Sequence, residues 1–86
     1  MARVEGRELA QKFLEGAAKA EILAEYFRPE LNEKCARRMD FARQQAEYYG
    51  FTPDEVYDTE IKGNLDALDL CDTLRERYPH LTQSEF

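Results

Sequence analysis

Apolar residues recur along most of the chain every three or four positions, which is the spacing of one face of an α-helix. No stretch of any length alternates apolar and polar residues with the period of a β-strand. We therefore predict an all-α fold, a small bundle of three or four helices in which consecutive helices are antiparallel neighbours. The first repeat, within a predicted helix over about 4–27, consists of Leu9, Phe13, Gly16, Ala20, Leu23 and Phe27.

A second repeat begins after Arg28-Pro29, because proline restricts the residue before it and suits the first turn of a new helix. This repeat predicts a helix over about 30–49 and consists of Leu31, Cys35, Met39, Ala42, Ala46 and Tyr49. Both repeats have large residues at their ends and small ones in the middle, so a shallow trough is expected where Gly16 lies near Ala42. Gly16 allows either a continuous first helix or a kink, and we favour the continuous helix.

The clearest local signal follows the second helix. Gly50 is suited to ending a helix in a left-handed conformation. The next four residues, Thr52-Pro53-Asp54-Glu55, form a capping box with proline at the first helical position, and Phe51 and Val56 form a hydrophobic staple around it. A helix is therefore predicted to begin at Pro53.

The last apolar run is the richest in large side chains. On a helix, Ile61, Leu65 and Leu68 fall on one line, and a second line beside it contains Ala67, Cys71, Leu74 and Tyr78. An apolar arc this wide predicts a helix that packs against two neighbours and fills the trough with its leucines. Gly63 either ends one helix and begins another or is tolerated within a single helix. The change of direction there favours a break, with helices over 53–62 and 64–78 and a loosely ordered tail over 79–86.

The length of 86 residues predicts a single domain, 1–86, with a small core, so a homodimer is a plausible source of added stability. No apolar run is long enough to span a membrane and the first residues do not resemble a signal peptide, so we expect a cytoplasmic protein. The two cysteines, Cys35 and Cys71, are too few and too distant for a zinc site or a disulfide scaffold. Both lie on apolar stripes, where we expect reduced, buried thiols, although a redox link between them is geometrically conceivable.

The net charge of −6 comes from the second part of the chain: residues 1–50 contain nine basic and nine acidic residues, whereas residues 51–86 contain three and nine. This balance argues against general nucleic-acid binding, which depends on clustered cations. It leaves open a partner that is itself basic.

Two predicted surfaces are candidates for binding. The first, here called the aromatic face, is the outward side of the second helix and consists of Lys34, Arg37, Arg38, Phe41, Gln45 and Tyr48. Cations beside aromatic rings can bind phosphates and stack bases. We favour a protein interface over nucleic-acid binding, with Phe41 and Tyr48 as anchors and the arginines at its rim. A third interpretation is local ion pairing of the cations with Glu30 and Glu33.

The second surface, here called the acidic ridge, consists of Asp66, Asp69, Asp72 and Glu76, with Asp58 on the same polar side of the last helix. It could dock onto a basic partner or imitate the phosphates of a nucleic acid. Alternatively, it is a solvated face that keeps a small protein soluble.

No nucleophile–base pair, phosphate-binding loop, cofactor motif or set of metal ligands is evident, and the patterns match no family motif. We interpret the chain as a small acidic protein without catalytic activity that binds another protein as a regulator, adaptor or inhibitor. One alternative is an inhibitor, of the kind found in phages and mobile elements, that occupies the nucleic-acid site of an enzyme. The other is direct nucleic-acid binding through Lys34, Arg37 and Arg38.

Overall fold

The protein is built along one long helix, α1, which runs from Ala2 to Phe27. The computed structural model describes residues 2–78, and the side chains of residues 6–78. A 3₁₀ turn (Pro29–Leu31), helix α2 (Asn32–Tyr48) and helix α3 (Pro53–Arg77) follow. This part of the chain contains no strand, which confirms the all-α class. The molecule measures 46 × 23 × 21 Å, and its long dimension is close to the ~39 Å length of a 26-residue helix.

The turn between α2 and α3 follows from its local sequence. Gly50 has a φ of 90°, as expected of a glycine that ends a helix. The Phe51 N–H donates to the Ala46 carbonyl at 3.0 Å and the Gly50 N–H donates to the Glu47 carbonyl at 3.0 Å. These two hydrogen bonds form the motif that commonly closes a helix in this way.

The predicted capping box at the start of α3 is confirmed. The Glu55 N–H donates to Thr52 Oγ1 at 3.2 Å, and the Thr52 N–H donates to Glu55 Oε1 at 2.8 Å. Because these bonds satisfy backbone donors that no helical carbonyl can reach, they fix the first turn of α3. Accepting the Thr52 backbone N–H holds the pKa of the Glu55 carboxyl below its usual range, and the nearby Arg7 guanidinium adds to this effect.

Helix α1 packs against both α2 and α3, which make far fewer contacts with each other. Against α2, the Phe13 ring meets the Phe41 ring edge-to-face, with centroids 5.8 Å apart. At the start of α1, the Arg7 guanidinium donates to the Tyr49 carbonyl at 2.9 Å and to Glu55 Oε2 at 3.1 Å. It therefore ties α1 to the turn that joins the other two helices.

One ion pair links α2 and α3 directly. Arg43 Nε and Nη2 donate to the two carboxylate oxygens of Glu60 at 2.8 and 3.1 Å. The paired geometry raises the pKa of Arg43, chiefly through the hydrogen bond to Glu60. A two-pronged contact of this kind fixes orientation as well as distance.

The core is made mostly of small side chains. Among the described residues, the largest that are fully buried are Leu14, Met39 and Cys71. The main buried cluster contains five alanines with three larger residues: Ala10, Leu14, Ala17, Ala18, Met39, Ala42, Ala46 and Phe51. Such side chains allow helix backbones to approach closely, and they leave little apolar volume inside.

The prediction that the leucines of the last helix fill a central trough is wrong. The buried positions of α3 are Thr59, Gly63, Ala67 and Cys71, whereas Leu65 is 57% exposed. The line through Ala67 and Cys71 does face α1, but the line through Ile61, Leu65 and Leu68 faces outward. Small residues face α1 because the two backbones lie too close together to admit a leucine.

The predicted break at Gly63 is also wrong, since α3 continues from Pro53 to Arg77 without interruption. The glycine is required by close packing: a Cβ at position 63 would lie 2.5 Å from the Glu15 carbonyl oxygen and 3.0 Å from Ala18 Cβ. At Gly16 the predicted continuous helix is confirmed, and a Cβ there would meet nothing within 4 Å. The close approach therefore lies at Gly63 and not at Gly16.

The predicted stripe of α1 differs from the buried one. Leu9 is exposed, and the buried positions are Ala10, Leu14, Ala17, Ala18 and Ala24. Because α1 contacts both α2 and α3, its buried residues lie along two lines, one facing each helix, and not along a single stripe. On α2, Met39, Ala42 and Ala46 are buried as predicted. The predicted tail, 79–86, lies outside the described residues.

The two glycines make a matched test of this packing. We expect Gly63→Ala to destabilise the protein by about 1–3 kcal/mol, because the new methyl group overlaps the Glu15 carbonyl. We expect Gly16→Ala to stabilise it by about 0.5–1 kcal/mol, because alanine favours the helix and has room. Urea denaturation followed by circular dichroism measures both. Equal effects of the two substitutions would contradict the close contact between α1 and α3.

The capping box makes stability depend on pH. The Glu55 pKa is lower in the folded state than in the unfolded chain, where it is about 4.3. Its contribution to stability is therefore complete above that value and is lost as the pH falls through the folded-state pKa. We expect wild type to exceed Glu55→Gln in unfolding free energy at pH 7, and the difference to vanish in acid. Glu25→Gln, which removes an exposed carboxylate from α1, is the control, and a pH-independent difference for Glu55→Gln would contradict the assignment.

Candidate functional site

One of the concave surfaces formed by the described residues is a groove near the end of α1, here called the apolar groove. It has a volume of 680 Å³, is open to solvent, and receives side chains from α1, α2, α3 and the 3₁₀ turn. Its lining consists of Ala20, Leu23, Ala24, Phe27, Arg28, Leu31, Lys34, Cys35, Arg38, Leu70 and Leu74. Large apolar side chains from three directions therefore surround space that no residue of the described chain fills.

The floor of the groove is formed by small residues of α1. Because Ala20 and Ala24 are small, they leave a depression beside the larger Leu23 and Phe27. Leu31 is supplied by the 3₁₀ turn that Pro29 starts, and Leu70 and Leu74 come from the last turns of α3. Since α2 and α3 make few contacts with each other, no described residue closes the space between them at this end.

The charge of the groove differs from that of the whole chain. Its lining includes three cations, Arg28, Lys34 and Arg38, and no carboxylate, although the chain carries a net charge of −6. Arg28 pairs with Glu30 at 3.3 Å in an exposed contact. Arg38 lies over the Phe13 ring at 5.5 Å, and within residues 6–78 neither Lys34 nor Arg38 has a carboxylate partner.

The aromatic face lies on α2, and its members differ in exposure and in the side chains that they contact. Tyr48 is 78% exposed, and its ring meets the neighbouring Tyr49 ring edge-to-face, with centroids 5.0 Å apart. Phe41 is half-buried against Phe13. Arg37 pairs with Glu33 at 3.7 Å, as the local ion-pair interpretation expected.

The acidic ridge is exposed along α3. Asp66, Asp69, Asp72 and Glu76 are all solvent-facing. Asp72 pairs with Arg75 at 3.6 Å, and the other three have no cation within ion-pair distance among the described residues. Asp58, about two helical turns before Asp66, is also exposed and has no cation partner among the described residues.

The structure thus divides the predicted site residues between different surfaces. Lys34 and Arg38 enter the apolar groove, whereas Arg37, Phe41, Tyr48 and the acidic ridge do not line it. Sequence analysis missed Leu23, Phe27, Leu70 and Leu74 as surface residues because it assigned them to the core. One signal in the sequence could have revealed them. The chain has more large apolar residues than a core between two helices with small central residues can enclose, so some of them must lie at the surface.

The two cysteines occupy different environments. Both are free thiols. Cys35 is half-buried, lines the groove and donates to the Ala20 carbonyl at 3.8 Å. Cys71 is fully buried, and burial raises the pKa of its thiol.

In residues 6–78, no three His, Cys, Asp or Glu side chains lie close enough together to share a metal ion. None of the helices in the described range has the length and apolarity to cross a membrane. Comparison with protein families, with curated proteins and with solved structures gave no match.

The thiols provide a readout of the groove. We expect native protein at pH 8 to be alkylated by iodoacetamide at Cys35, because this thiol borders the open groove. Cys71 should remain unmodified until the protein unfolds, since its side chain is inaccessible and its raised pKa leaves little thiolate. Peptide mass spectrometry measures both sites, with alkylation in denaturant as the control. Faster native modification of Cys71 than of Cys35 would contradict the described packing.

Proposed function

We propose that this protein binds another protein through the apolar groove and acts as a regulator, adaptor or inhibitor without catalysing a reaction. The observation that carries the proposal is the groove itself, a 680 Å³ open concavity with large apolar side chains on three sides. Grooves of this kind bind the apolar face of an amphipathic helix. Its rim cations would meet carboxylates on the polar side of that helix.

The distribution of apolar residues supports the proposal. Ten large hydrophobic or aromatic side chains in the described chain are exposed to solvent, among them Leu31 and Leu70 of the groove. Contiguous exposed apolar surface on a small protein marks an interaction site more often than chance exposure. The acidic ridge, by contrast, is exposed to solvent along α3 and is not part of the groove lining.

Two alternatives use other surfaces. An acidic inhibitor of a nucleic-acid-handling enzyme would use the acidic ridge, whose Asp66, Asp69 and Glu76 are exposed and unpaired within the described chain. Direct nucleic-acid binding would use Lys34, Arg37 and Arg38, of which Lys34 and Arg38 have no carboxylate partner among residues 6–78. The groove is favoured over both because it combines shape, apolar area and charge.

The same proposal covers the arrangement and location of the protein. We infer that α1 and α2 are antiparallel neighbours in a three-helix bundle, since Arg7 contacts Tyr49, Phe13 contacts Phe41 and Ala20 contacts Cys35. We propose a cytoplasmic location, in keeping with two thiols that are not joined in a disulfide.

Affinity capture from lysate of cells that contain the protein tests which surface binds. We expect a partner protein, identified by mass spectrometry, that is retained at high salt and lost at least about tenfold with Leu31→Asp. The aspartate places a charge in the groove at an already exposed position. Leu9→Asp, the same change at an exposed position outside the groove, is the matched control and should retain the partner.

Two further variants separate the alternatives. Charge reversal of Asp66, Asp69 and Asp72 should leave capture unchanged if the groove binds, and should abolish it if the protein imitates a nucleic acid. The double variant Phe41→Ala/Tyr48→Ala tests the aromatic face: capture should be unchanged if the groove binds the partner and lost if the aromatic face does. A partner that is lost only with one of these variants, and kept with Leu31→Asp, would overturn the groove proposal.

A further inference from the structure

We infer that the occupant of the apolar groove is helix α3 of a second copy of this chain. The inference rests on one part of the proposed function, that the groove is a protein-binding site, and it names a second copy as the protein bound there. It comes from a second unpartnered surface on the molecule, whose shape and charge match the groove.

That surface is an outward apolar row on α3, here called the Tyr57 stripe and formed by Tyr57, Ile61, Leu65 and Leu68. All four side chains are exposed, and their spacings of four, four and three residues place them on one side of the helix. The row extends about 17 Å along the helix axis. It is separate from the buried positions Thr59, Gly63, Ala67 and Cys71, which face α1.

Acidic residues border the stripe. On the helix surface, Asp58 is next to Ile61, Asp69 is next to Leu65, and Asp72 is next to Leu68, at spacings of three or four residues. Asp58 and Asp69 pair with no cation in the described part of the chain, and Asp72 pairs only with the exposed Arg75. The stripe is thus the apolar face of an acidic amphipathic helix.

The groove offers the complement of this helix. Its apolar lining would cover the stripe, and its cations Lys34 and Arg38, which have no carboxylate partner within residues 6–78, would meet the bordering aspartates. Complementary charges of this kind fix the register of an interface and exclude other partners. Because the stripe already faces outward, docking requires no opening of the contact between α1 and α3.

The contact joins two different surfaces, so two arrangements satisfy it. Around a two-fold axis, two copies each give a stripe and receive one, which makes an isologous dimer. Head-to-tail association of successive copies is heterologous and leads to rings or filaments. Because every copy carries both surfaces, the contact can be tested by mixing two defective variants.

Sedimentation velocity of the purified protein over a concentration series is the test. We expect wild type to form species of at least twice the 10.1 kDa mass of one chain. Leu65→Arg, which disrupts the stripe, and Lys34→Glu/Arg38→Glu, which reverses the groove cations, should each remain monomeric, with association weakened at least about tenfold. These positions are exposed, and circular dichroism verifies that the variants stay helical.

Mixing the two variants supplies the decisive arm. The Leu65→Arg chain keeps an intact groove and the Lys34→Glu/Arg38→Glu chain keeps an intact stripe, so an equimolar mixture should form a 1:1 dimer with a single contact. Lys12→Glu/Lys19→Glu, which makes the same charge change outside the groove lining, should associate as wild type does.

Three results would overturn the inference: a wild-type protein that stays monomeric at every concentration, single variants that still associate, or a mixture that does not. A monomer that nevertheless captures a partner sensitive to Leu31→Asp would refute the second copy and keep the proposed function. Association that needs the groove, with no other protein captured, would support the second copy and refute the regulatory function.

Discussion

The close contact between α1 and α3 is the constraint on which the rest of the structure depends. At its centre, Gly63 lies so near the Glu15 carbonyl that a single methyl group would overlap it. Two helices can approach to this distance only where their facing side chains are small, and α3 provides Thr59, Gly63, Ala67 and Cys71. The attraction is then mainly van der Waals contact between backbones, which depends steeply on distance and tolerates no extra volume.

The exposed hydrophobic surface follows from this contact. Because the interior is filled by alanines and a few larger residues, most of the leucines and aromatic residues of α3 have no place inside. Ile61 and Leu65 point outward, and Leu70 and Leu74 border a groove that Ala20 and Ala24 leave open. A small domain gains little stability from a core of this size, so covering these surfaces by association would contribute where the interior does not.

Local signals in the sequence were sufficient to predict where the helices begin, but not the continuity of α3 at Gly63 or all of the buried faces. Thr52 and Glu55 predicted the start of α3 because a capping box involves only neighbouring residues. The buried faces of α1 and α3 were partly misassigned, because hydrophobic periodicity counts large side chains such as Leu9 and Leu65. Close packing here also buries small residues that the pattern did not mark, such as Ala18 and Gly63. The acidic ridge and the exposed Tyr48 could be predicted from charge and spacing, but the apolar groove depends on where α2 and α3 separate, which no single helix encodes.

The local charge of the groove differs in sign from the net charge of the chain. The net charge of −6 argues against binding anions, yet the groove is lined by three cations and no carboxylate. At physiological salt, the interaction between exposed charges is largely screened beyond about 8–10 Å. A partner bound at the groove is therefore affected mainly by the charged groups that line it, and much less by the net charge of the whole chain. An acidic helix can therefore be favoured in the groove of an acidic protein, provided that its own carboxylates come within reach of Lys34 and Arg38.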